Sequence, residues 1–327
     1  MMIGLLIAIA AGCASALMFA SISSGALISL LLFYLAPLPL MLVAIGWGPA
    51  GAAIGGILAA LGLGAIFSLP YLAAFLLAVA LPAWWLGYLA LLGRPVAAGP
   101  ETIGTGAPTA PSFEWYPVGR ILLWTIGFAT LTTTGALLTL GTDSDTIIAG
   151  LRHGLGRIIR NSSSAPDGVD PSQLIDALAT IAPAAAGIIT MMTLTLNLWL
   201  AAYLSLLSGR LRRPWPALRA TALPPMTLVA LCCLIALCFT SGLLGLIAQI
   251  ASAALLLAYA LTGFAVLHTV TLAMKSRGVV LSLAYALVLV FGWPVIVMIA
   301  LGLADASFGI RSRYLQRRPP PLSNTST

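Results

Sequence analysis

Apolar runs of about twenty residues recur along the whole chain, and this repetition constrains the fold more than any other feature. A helix of ~20 mainly apolar residues spans the ~30 Å hydrocarbon core of a bilayer. Nine stretches qualify: 3–21, 27–45, 49–67, 71–92, 121–140, 181–207, 226–248, 251–272 and 279–303. None shows the period-2 alternation of a barrel strand, so each reads as a helix. Only 7% of the 327 residues are charged and 61% are hydrophobic. A soluble domain carries about 25% charged residues, so this chain has too few charges to cover a water-exposed globule. That excludes a soluble enzyme, a secreted disulfide scaffold, a disordered chain and a nucleic-acid-binding module. The sequence predicts an all-α, polytopic transmembrane bundle of eight or nine spans, forming one integral-membrane domain over 1–310.

Charge placement orients the spans. The net charge of +7 comes from basic residues between the spans, where the positive-inside rule places them. Residues 208–225 carry Arg210, Arg212, Arg213 and Arg219 with no acid, and mark a cytoplasmic loop. Counting back makes 93–119 cytoplasmic, 141–180 extracytoplasmic and the N-terminus cytoplasmic. The 141–180 loop holds Asp143, Asp145, Asp167, Asp170 and Asp176 against Arg152, Arg157 and Arg160. Residues 311–327 read as a basic, Pro-rich flexible tail. One full crossing at 279–303 would leave its arginines outside. A break at Gly292-Trp293-Pro294 would return them to the cytoplasm, because an interior proline removes a backbone bond. The bilayer and the basic loops imply the inner membrane of a bacterium.

The outer loop has its own pattern. Ile147, Ile148, Leu151, Leu155, Ile158 and Ile159 fall on one helical face, with Asp143, Ser144 and Asp145 as cap candidates. This predicts an amphipathic helix on the membrane or over a cavity. Asp170-Pro171 begins another helix that can run on into the 181–207 span.

Few residues carry chemistry. Tyr34, Pro37 and Pro39 sit in an apolar span, where irregular backbone either kinks a helix or lines a cavity. Gly51, Gly55 and Ala59 form a small-xxx-small face for close helix packing. Thr190, Thr193 and Asn197 share one helical face, as interhelical glue or as a ligand-facing stripe. His268 lies near a basic turn, as a structural histidine or a substrate group. Asp305 and Arg311 bracket the end of the last span. Cys13, Cys232, Cys233 and Cys238 all lie in apolar stretches and read as membrane-packing residues, not as a disulfide or metal site. No acid lies at a span centre, where ion-coupled transporters place one. No catalytic residue, metal or cofactor is expected, and the chain does not read as an enzyme.

The order of these landmarks resembles the YybS-like family of bacterial membrane proteins, a domain of unknown function. They run from Pro37–Pro39 and the glycine turn at 46–51 through Leu86-Gly87-Tyr88, Pro183 with Asn197, and Leu223-Pro224. They end at Thr262-Gly263 through His268, with Thr262 where the family pattern has Gln, and Gly302 to Asp305 before Phe308 and Arg311. The first half is similar, more distantly, to the substrate-binding S components of energy-coupling-factor transporters. That resemblance implies a small-molecule cavity near Tyr34, Thr193 and Asn197 and a separate ATPase module as partner. The alternative is a non-catalytic scaffold that holds membrane-protein partners in cell-envelope assembly.

Overall fold

The structure is a computed structural model that describes residues 2–96, 112–161 and 170–316. Residues 97–111 and 162–169 of the two long loops, and the tail beyond Gln316, lie outside the described residues. The chain is an all-α polytopic membrane bundle. Its helices are α1 (Met2–Ala20), α2 (Leu27–Leu35), α3 (Pro37–Gly46), α4 (Pro49–Ile66), α5 (Leu69–Phe75), α6 (Leu81–Leu91) and α7 (Val118–Leu138). They continue as α8 (Ser144–Asn161), α9 (Pro171–Leu207), α10 (Met226–Leu237), α11 (Leu243–Val270), α12 (Arg277–Phe291), α13 (Val295–Phe308) and α14 (Ile310–Gln316). A two-stranded antiparallel hairpin, β1 (Gly93–Val96) with β2 (Ser112–Trp115), lies between α6 and α7.

Seven helical segments among the described residues are long and apolar enough to span a bilayer, and an eighth if the bent pair α13–α14 counts as one. Of the eight or nine spans expected, no ninth is found among the described residues. The 226–248 and 251–272 stretches are divided elsewhere: α10 ends at Leu237, and α11 runs unbroken from Leu243 to Val270. The break falls at Gly242, whose φ of 83° only glycine adopts without strain. Gln249 is a good helix former and interrupts nothing. The 279–303 stretch is split at Gly292 (φ 70°) and Pro294 into α12 and α13.

The domain expected over 1–310 divides into two compact units. The first comprises 1–215 and 234–254, the second 216–233 and 255–327. In the first, α1 and α4 run parallel at backbone contact. A Cβ on Gly12 would strike the Gly55 carbonyl, and one on Gly55 the Ala8 carbonyl. Gly51 lies beside Val43 and Ala8, and Ala59 is buried in the same core. Three loops meet at one end of this unit. The Arg210 guanidinium stacks over Trp47 at 4.4 Å, and Arg213 donates to the Ala90 carbonyl at 3.4 Å. Burial lowers the Arg213 pKa from its ordinary value. Arg94 pairs with Glu114 at 2.6 Å in the hairpin at this arginine end.

The opposite end carries α8 and the start of α9. Ile147 is fully buried with Leu137, Leu246 and Ile250, while His153, Arg157 and Arg160 stay exposed. Asp170 caps α9 by accepting the Ser172 N–H at 2.9 Å, and α9 then runs 37 residues without interruption through Pro183. Asp143 caps α8 by accepting the N–H groups of Asp145 (3.0 Å) and Thr146 (2.9 Å). These bonds, Thr146 first, lower the pKa of Asp143. A depressed folded pKa gives a contribution that is present above the ordinary carboxylate range and lost as pH falls through the lower value. Asp143→Ala should therefore open the Asp145 and Thr146 amides to hydrogen exchange at neutral pH. The unmodified protein should open them only in acid. Equal protection in both proteins at neutral pH would remove the cap.

In the second unit α11 and α13 pack antiparallel. A Cβ on Gly263 would meet the Met298 carbonyl, and one on Gly302 the Tyr259 carbonyl. The fully buried Tyr259 hydroxyl lies 2.7 Å from that of Thr227. Arg311, expected at the start of a flexible tail, sits instead in α14. It pairs with Asp305 at 2.7 Å and donates to the carbonyls of Arg219 (3.0 Å) and Thr221 (2.6 Å).

Candidate functional site

The site begins with two faults in the helices of the first unit. Pro37 and Pro39 lack the N–H groups that would continue α2 into α3, and the chain turns at Ala36. The Tyr34 carbonyl at this break accepts the Asn197 side-chain amide of α9 at 2.8 Å. The second fault is a π-helical segment, Leu76–Ala80, between α5 and α6. Here the Leu81 N–H reaches five residues back to the Leu76 carbonyl. The next donor in that register would be Pro82, which has no N–H, so the Leu77 carbonyl is left over. The Thr132 hydroxyl of α7 donates to it at 3.2 Å. Inside a membrane such irregular backbone persists where protein covers it or where it lines a cavity.

Both faults border one cavity of about 290 Å³. Phe19, Phe33 and Tyr34 form an aromatic wall, with Phe19 and Phe33 ring centroids 5.3 Å apart. Thr132 and Thr133 of α7 and Thr190 and Thr193 of α9 supply hydroxyls, and Pro37, Ala78 and Val79 close the remaining side. Thr190 donates to the Ala186 carbonyl at 2.9 Å, and its hydroxyl lies 3.3 Å from that of Thr133. The Tyr34 and Thr193 hydroxyls have no protein partner among the described residues. Among the described residues no charged side chain lines the cavity.

Of the ligand-cavity residues expected from sequence, Tyr34, Pro37, Thr190 and Thr193 come together here. Pro39 is half-buried beside them and does not line the space. Asn197 is not in the lining either. At 2% exposure its amide nitrogen ties the carbonyls of Tyr34 and Thr193, a turn beyond the cavity, and its Oδ1 has no partner. It braces the wall by holding the carbonyls of Tyr34 and Thr193. His268 belongs to the second unit, where its Nε2 lies 3.0 Å from the Tyr285 hydroxyl. The arginines of 208–225 divide likewise: Arg210, Arg212 and Arg213 belong to the first unit and Arg219 to the second. Arg212 projects freely, while Arg210 and Arg213 are engaged with Trp47 and Ala90. Among the described residues no group of three His, Cys, Asp or Glu is placed to hold a metal. Three of the cysteines lie exposed on their helices, and Cys238 is 3.6 Å from Ser252.

Sequence reading missed Thr132, Thr133 and the π segment. The run Thr132-Thr133-Thr134 inside an apolar span was the available signal for the first two, and Pro82 for the third.

Fold and site together define a polytopic helical membrane protein with a cavity lined by uncharged residues of its apolar helices. Comparison with family models, curated proteins and solved structures gives no match.

Proposed function

We propose that this protein is the substrate-binding subunit of a small-molecule transport system in a bacterial inner membrane. The cavity carries the reading. Two backbone faults and four threonines, two from α7 and two from α9, converge on one space that the helices leave unfilled. The arginine end, with Arg94, Arg120, Arg210, Arg212 and Arg213 against Glu114, faces the cytoplasm. That puts the start of α1 inside and the cavity in the outer half of the bilayer. The chain holds no nucleotide-binding loop, so transport energy comes from a separate ATPase module. The free Arg212 and the arginine end are its docking side, or contact anionic lipid head groups.

Native mass spectrometry of the protein gently released from its own membrane tests this. The expected result is a retained small molecule or a stoichiometric ATPase partner. An empty protein bound to envelope-assembly proteins would replace this reading with the scaffold.

A further inference from the structure

We infer that the cavity takes an uncharged, planar-ringed molecule of one or two rings that carries a hydroxyl or carbonyl group at its edge. This rests on the binding-subunit reading and names its substrate class. Three observations carry it.

The first concerns charge. Among the described residues no acid or base lines the space, and the helix start beside it offers no substitute. A helix N-terminus attracts anions through its free N–H groups, but at α3 Pro37 and Pro39 remove two of the first three. A buried ion would meet no counter-charge and little hydrogen bonding, which is strongly unfavourable.

The second is the split between the walls. Phe19, Phe33 and Tyr34 line one side as a mutually packed set of rings, Phe19 and Phe33 tilted at 33° and Phe33 and Tyr34 edge-on at 63°. Aromatic side chains favour another flat ring at stacked or edge-on geometry. A straight acyl chain would gain nothing specific from that wall and would leave the threonine side unused.

The third is the inventory of free polar groups. Thr132 and Thr190 are committed to the carbonyls of Leu77 and Ala186, and Thr133 lies against Thr190. The Tyr34 and Thr193 hydroxyls have no protein partner among the described residues, and both residues line the cavity. Each can donate to or accept from a ligand. Two hydroxyls call for one or two edge groups on the ligand, not for a sugar-like ring of many.

The test uses the full-length protein in lipid nanodiscs and ¹⁹F NMR line broadening. The probes are 6-fluoronaphthalene-2-methanol, its carboxylate and methylammonium counterparts on the same ring, and 8-fluorooctanol as a straight-chain alcohol. Ala186→Phe fills the cavity from α9 and reports binding elsewhere, including partition into lipid. Thr193→Val removes one free hydroxyl at constant shape.

The neutral naphthyl alcohol should bind saturably, at least about tenfold tighter than either charged probe and tighter than the octanol. Binding should vanish in Ala186→Phe and weaken about fivefold in Thr193→Val, as for one lost hydrogen bond. Thr193→Val keeps the test decisive if Ala186→Phe does not fold. Equal or tighter binding of a charged probe overturns the inference and leaves a binding subunit of another substrate class. Octanol binding as well as the ring does the same, with a lipid chain as occupant. If no probe distinguishes the protein from Ala186→Phe, the inference falls, and the retained-ligand measurement above decides the broader reading by itself.

Discussion

Asp305→Ala should destabilise the protein by about 3 kcal/mol, the order observed when one partner of a buried ion pair is removed. Asp305 and Arg311 are 8% and 13% exposed at the side chain. The carboxylate accepts from the Arg311 Nε at 2.7 Å and from its backbone N–H at 2.8 Å. Without it the guanidinium keeps two carbonyl partners but no counter-charge in a nearly dry setting. Arg311→Met in the same chain should recover most of the loss, because replacing both charges removes the need for compensation. Arg311→Lys should not substitute, since an ammonium cannot make the paired contacts to the carboxylate while reaching the carbonyls of Arg219 and Thr221. Thermal melts of the detergent-solubilised protein, read by monodispersity, decide it. A melt for Asp305→Ala within error of the unmodified protein would show that water screens the pair.

Gly55→Leu should have a larger effect and abolish the folded, monodisperse state. Inserting atoms into a packed core typically costs ~1–3 kcal/mol when side chains can yield. Here the first added atom meets the Ala8 carbonyl of α1, and backbone cannot rotate aside. Two helices would have to separate along the Gly12–Gly55 contact. Gly62→Leu is the control on the same helix. A Cβ there meets nothing within 4 Å, and the residue is exposed. It should leave yield and melting unchanged, or improve them slightly through helix propensity. Equal behaviour of the two variants would mean that α1 and α4 do not approach at Gly55.

The difference between these glycines shows what a single sequence carries. Both lie in an apolar helix, and the spacing of Gly51, Gly55 and Ala59 marks a close-packing face. It does not say that α1 is the partner, because pairing between helices depends on long-range geometry. The spans themselves were legible, since about twenty apolar residues leave a helix few alternatives in a bilayer. So were the Asp170-Pro171 start, the continuation of α9 and the core-facing Ile147, Ile148 and Leu151 of α8, though not Ile158, which is exposed. The turn at 238–242 was not. Thr, Ser and Gly sit comfortably in membrane helices, so hydropathy stays high across a real break. The π segment was hidden for a related reason: a one-residue change of register leaves composition untouched. The cavity combines parts of several helices, and Thr133 meets Thr190 only once α7 lies beside α9. Asn197 was visible as an unusual amide in an apolar span, but its sequence position could not distinguish a ligand contact from a brace for the Tyr34 carbonyl.

At 37 residues α9 is roughly 55 Å long, against a hydrocarbon core of ~30 Å. It therefore works as a shaft that extends well beyond the bilayer. Its capped tip is flanked by α8 and held to it by Arg152 and Asp176. Its middle forms the threonine wall, and its far end leads into the turn where Arg210 rests on Trp47. Pro183 lies between tip and wall, and no proline follows before Leu207. One continuous helix thus carries the capped tip, the cavity threonines and the arginine turn, so the three share a single rigid axis.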